Sequence, residues 1–191
     1  MTAKKTAKRL TLAEIKAELA EIARIGQVFV DGDLCRKAYQ PYAETFMTGD
    51  DMDFNPAAAV PLKQTLLRLE RVSRVPCSTA LWRRRPDAPS SGEALLYGTT
   101  SSPQAGGKPG NRGYVPPKMT RELAAAFLEG KSVTKVNRKA VGSARVMYDR
   151  GQAAPAKGIK GPCVVQRFAP ITDSMGEIAA VLEVFAAAVD G

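Results

Sequence analysis

The chain has 191 residues, 45% of them hydrophobic, so it can bury the core of one domain with appended elements. It carries 28 Lys and Arg against 19 Asp and Glu, a net charge of +9, and contains no histidine. The missing imidazole excludes Ser-His-Asp and Cys-His nucleophiles, histidine metal centres and histidine haem ligation.

From the N-terminus, residues 1–10 form a basic tail with Lys4, Lys5, Lys8 and Arg9. No hydrophobic signal region follows it, and no apolar run approaches the ~18 to 20 residues of a spanning helix, so a cytoplasmic protein is expected. Thr11-Leu12-Ala13-Glu14 fits a capping box and starts a helix. Leu12, Ile15, Leu19, Ile22, Gly26 and Phe29 recur at 3-4-3-4-3 spacing, giving one apolar stripe that ends near residues 31–33. The stripe suits docking on the chain's own body and also a short seam with a second copy, so a homodimer through residues 11–30 is expected.

Residues 34–47 read as a helix-and-turn segment broken by Pro41, followed by a loop with Asp50, Asp51 and Asp53. That loop lacks the ligand spacing and central glycine of an EF-hand, so it is read as solvated. Asn55-Pro56 is a cap followed by proline at the first helical position. The helix it opens runs through Leu62, Leu66, Leu69 and Val72, with Arg68, Arg71 and Arg74 on its solvated face.

After Pro76 the pattern becomes extended. Residues 77–82 and 93–100 are predicted strands joined by the loop 83–92, and a Gly, Pro and Ser rich stretch leads to Tyr114. A helix over 119–129 presents Leu123, Ala124, Phe127 and Leu128 and stops at Gly130. Residues 133–137 and 143–148 read as short strands, and a basic Gly/Pro/Ala loop leads to Cys163.

Residues 163–186 are the most legible part of the chain. Val164, Val165, Phe168 and Ile171 form one strand, residues 172–176 a turn, and Ile178 to Phe185 a second run that is apolar on both faces except for Glu177 and Glu183. Abundant alanine makes a helix the rival reading over 177–189; the strand is preferred for the first nine residues. The sum is an α+β fold: a single antiparallel sheet of about five strands with the N-terminal helices packed on or beside it. The segments are a tail (1–10), a helical segment (11–54) and a sheet-bearing domain (55–191).

No phosphate-binding loop, dinucleotide fingerprint or paired-carboxylate signature is present, so neither an enzyme nor a cofactor is expected. Cys35, Cys77 and Cys163 are odd in number and far apart, which fits buried thiols better than disulfides or a metal site. Between residues 108 and 160 stand twelve Lys or Arg against three acids. Binding of nucleic acid or another anion is therefore the alternative function.

Ala169-Pro170-Ile171-Thr172-Asp173-Ser174-Met175-Gly176-Glu177-Ile178, followed by Ala180 to Val184, resembles the P-I-x-D-x-x-G-x-I-x-x-V-L ending of PAS-like sensory domains of the Cache type. The order β-β-loop-helix-β-β-β behind long helices is similar to theirs over residues 56–189. The resemblance implies that Pro170, Ile171, Asp173 and Gly176 shape a turn. It also implies a noncatalytic signal-input module whose cupped sheet, with the crossover loop and helix, encloses a small molecule. Candidate ligand-binding residues are Trp82, Arg84, Tyr97, Tyr114, Arg145, Tyr148 and Arg167. Arginines suit a carboxylate ligand through their bidentate fork, and aromatics supply an apolar wall. Core packing is the competing role for the aromatics, and solvation for the arginines.

Overall fold

The structure, a computed structural model, describes residues 9–38, 55–84, 90–99, 118–140, 147 and 153–190. In chain order its elements are β1 (Leu10–Thr11), α1 (Leu12–Phe29), α2 (Gly32–Ala38), α3 (Pro56–Val72), β2 (Ser78–Arg84) and β3 (Gly92–Tyr97). They continue with α4 (Arg121–Leu128), β4 (Val133–Asn137), β5 (Ala153–Lys157), β6 (Cys163–Thr172) and β7 (Ile178–Asp190).

The sheet is assembled on β7. Along one edge β7 pairs antiparallel with β6; its other edge is shared by β2, antiparallel over Val181 to Phe185, and β5, parallel over Ala187 to Asp190. β3 extends the sheet beyond β2, β4 extends it beyond β6, and β1 lies parallel to β5. The five strands β3-β2-β7-β6-β4 are antiparallel throughout, but the whole sheet has seven strands and is mixed. The expectation of a single antiparallel sheet is corrected there.

β5 and β1 fall where the sequence reads as loop and tail, for a physical reason. In β5 the alternation is real, with Ala154 and Ala156 buried and Lys157 exposed, but alanine and Pro155 give it almost no amplitude. Residues 143–148 are predicted as strand, whereas Met147, the one described residue among them, is helical and buried. The acidic residues 50, 51 and 53 lie outside the described residues.

β7 is a strand despite its alanines because both its faces are covered. Ala180, Leu182, Val184, Ala186 and Ala188 enter one core, shared with α1, α2 and α3. Val181, Phe185 and Ala187 enter a second core, capped by Leu123, Ala126 and Phe127 of α4. Only a strand's period of two feeds two opposite layers in this way.

α1 begins as its sequence specifies. Thr11 Oγ1 accepts the Glu14 N–H at 3.1 Å, and the Glu14 carboxylate accepts the Thr11 N–H at 2.7 Å. Its stripe of Ile15, Leu19 and Ile22 is fully buried on β6 and β7. A Cβ at Gly26 would fall 2.2 Å from Leu182 Cδ2, so the helix needs glycine there to lie this close. The stripe proposed as a seam for a second copy is thus part of the chain's own core. Phe29, its last member, is exposed beside Val28.

α3 starts with Asn55 Oδ1 accepting the Ala57 N–H, with Pro56 in the first turn. Arg74 is exposed, as expected, but it also reaches another element. It lies beyond the end of α3 and donates its backbone N–H and its Nε to Glu18 of α1, both at 2.7 Å.

Candidate functional site

The face of the sheet under α4 holds a buried polar cluster. Ala80 of β2 and Phe168 of β6 flank Glu183 directly, so Trp82 and Gln166, two residues along from each, share its face and approach it diagonally from opposite ends. Trp82 Nε1 donates to Glu183 Oε2, and Gln166 Nε2 donates to Glu183 Oε1, both at 2.7 Å. Glu183 and Gln166 are inaccessible to solvent, and Trp82 is 1% exposed.

The acceptor at Glu183 also fixes the amide of Gln166. Turned over, its carbonyl would face the carboxylate oxygen, so the NH2 group points at Glu183 and Oε1 points away. That Oε1 is buried and has no hydrogen-bond partner among the described residues. Around the cluster stand Phe168, Phe185, Val181, Leu123, Phe127 and Met147, an apolar wall with aromatic faces.

α4 is held over this face at its N-terminal end. Thr120 caps it by accepting the Leu123 N–H, and Lys135 of β4 donates to Glu122 at 3.0 Å. Burial pushes the Glu122 carboxyl up, but the bond and charge of Lys135 outweigh it and hold the group below its ordinary value.

The residues expected to bind a ligand are divided by the pleat. Trp82 belongs to the cluster, and Tyr97, half-buried and level with Ala80, packs against the same core. Arg84 is exposed at the end of β2. Arg167 shares the opposite face with Val165, where its guanidinium donates to Thr134 Oγ1 at 3.0 Å and burial pushes its pKa down. Tyr114, Arg145 and Tyr148 lie outside the described residues. Glu183 and Gln166 are not among the ligand-binding residues expected from the sequence. Their signal was nonetheless in the sequence, because each is a polar side chain inside a run that is buried on both faces.

No protein-family model matches the chain, and no curated protein matches it.

Two further polar clusters hold elements together. Glu70 of α3 accepts the backbone N–H and hydroxyl of Thr79 and of Thr99, while Lys63 donates to the carbonyls of Tyr97 and Gly98, which clamps the end of β3 to α3. At the opposite end Asp173 shapes the β6–β7 turn, accepting the N–H groups of Met175 and Glu177 and the guanidinium of Arg36 from α2. Gly176 in that turn has φ of 81°. All three cysteines are free and buried, and burial pushes the Cys35 and Cys77 thiols up to about 12, so neither is a nucleophilic thiolate near neutral pH. Among the described residues no group of His, Cys, Asp and Glu could hold a metal ion, and no helix is long and apolar enough to cross a membrane.

Proposed function

We propose that the chain is a noncatalytic signal-input module of the cytoplasm, similar to PAS-like domains, which binds a small molecule between its sheet and α4. The observation that carries this reading is the buried cluster of Trp82, Glu183 and Gln166. A carboxylate in the centre of the central strand is costly to desolvate, and apolar side chains of similar volume often pack such a site as well. Its retention is explained by recognition, as is the buried acceptor at Gln166. The two antiparallel hairpins flanking a crossover helix, and the turn built on Asp173 and Gly176, support the family reading.

The basic stretch is a weaker basis for function. Lys131 pairs with Glu129 and Lys135 with Glu122, so two of its charges are partly offset by neighbouring acids.

A thermal-shift screen over several hundred small metabolites tests the proposal. A ligand at a hundredfold its Kd stabilises the fold by about 2.7 kcal/mol, and in a chain of this size that raises Tm by about 5 to 10 °C. Silence across the screen removes the reading.

A further inference from the structure

The orientation of one amide restricts what such a ligand must offer. Glu183 draws the NH2 group of Gln166 toward itself, so the atom presented to the rest of the site is an acceptor, Gln166 Oε1. An ionised carboxylate has nothing to donate to it. Among the described cations near the sheet, Arg84 is exposed at a strand end, Arg167 is on the far face, and Lys135 is engaged by Glu122.

We infer that the site under α4 takes an N–H donor, an amine or amide with an apolar body, whose N–H completes Gln166 Oε1. The apolar body lies against Trp82, Phe168 and Phe185. This rests on the ligand-binding reading above and reverses the ligand chemistry that the sequence suggested, a carboxylate bound by arginines. Because Gln166 and Glu183 are closed off from solvent, a ligand enters only if the layer covering them, to which α4 contributes Leu123, Ala126 and Phe127, opens. The Lys135–Glu122 pair, with both side chains about a quarter exposed, ties α4 to β4.

Trp82 is the only tryptophan in the chain and donates into the cluster, so its emission reports on this site alone. The test is a titration of Trp82 emission with shape-matched pairs: isobutylamine against isobutyrate, and benzylamine and benzamide against benzoate. The expected result is a saturable change with the N–H donors and none with the acids. Gln166→Met, which keeps the volume and removes the acceptor together with the donor to Glu183, should weaken donor binding tenfold or more, the loss of one buried hydrogen bond alone being worth about tenfold. A response to the acids alone overturns the inference and leaves the ligand-binding reading standing. So does donor binding that Gln166→Met leaves unchanged, or a ligand from the thermal-shift screen that has no N–H. If no amine, amide or acid alters the emission and the wider screen is also silent, a buried water completes Gln166 and both readings fall.

Discussion

A methyl group at Gly98 has no room. Its Cβ would fall 1.7 Å from Glu70 Oε1 and 2.4 Å from Thr79 Oγ1, so Gly98→Ala must displace the carboxylate that gathers the donors of Thr79 and Thr99. Urea denaturation should show a loss of about 2 kcal/mol or more, combining overpacking with broken hydrogen bonds. Three other carboxyls make stability depend on acid. Burial raises Glu18, but the N–H, guanidinium and charge of Arg74 outweigh it; burial likewise raises Asp173, but the Glu177 N–H, Arg36 and the Met175 N–H lower it further. With Glu122 they all lie below their ordinary values of 4.5 or 3.8 in the fold. A carboxyl with a depressed folded pKa stabilises fully above its unfolded value and loses that contribution as pH falls through the folded one. Stability should therefore decline from about pH 5 downward, and Glu18→Gln should be less stable at pH 7 with a shallower decline. An unchanged acid profile in Glu18→Gln would remove the Arg74 pair from this account. At this scale the sequence marked positions better than partners. Glu183 stood out as a lone carboxylate in an apolar run, but its link to Gln166, seventeen residues away, depends on strand register, which composition does not encode.

α1 separates buried from free residues along a single helix. Leu19 is inaccessible and Val28 is 70% exposed. Leu19→Ala should cost about 2 to 5 kcal/mol by leaving a cavity against the sheet, and Val28→Ala should stay within about 0.5 kcal/mol. Equal effects in chemical denaturation would mean that the helix does not dock through this stripe. Where local chemistry is strong, the elements were legible. The Thr11 capping box, Asn55-Pro56 and the Asp173 turn each satisfy backbone groups with a neighbouring side chain, and each lies where its residues indicated. β5 was not legible, because a strand of alanine and proline takes its identity from β7 and β1 on either side rather than from its own pattern. The extent of β7 was hidden for a related reason. Ala186, Ala187 and Ala188 favour a helix locally, and the parallel pairing with β5 and the antiparallel pairing with β6 override that preference.

The arrangement of the whole molecule decides what the N-terminal helix is for. As a seam between copies, α1 could be removed to leave a folded monomer. Here it is one layer of the fold, since Ile15, Leu19 and Ile22 cover the same side of the sheet as Val165, Ala169, Leu182 and Val184 contribute to. Its entry strand β1 also pairs with β5, so losing it uncovers a sheet edge and an apolar face together. A chain beginning at residue 33 should therefore lose cooperative unfolding, followed by circular dichroism, and should aggregate in light scattering. A soluble, cooperatively folding monomer from that truncation, with a dimeric full-length chain, would restore the seam and refute the docking of α1. Leu19→Ala gives an independent check. It should lower the melting temperature without changing the mass of the full-length protein in solution, because a residue inside one chain's core destabilises that chain whatever its oligomeric state.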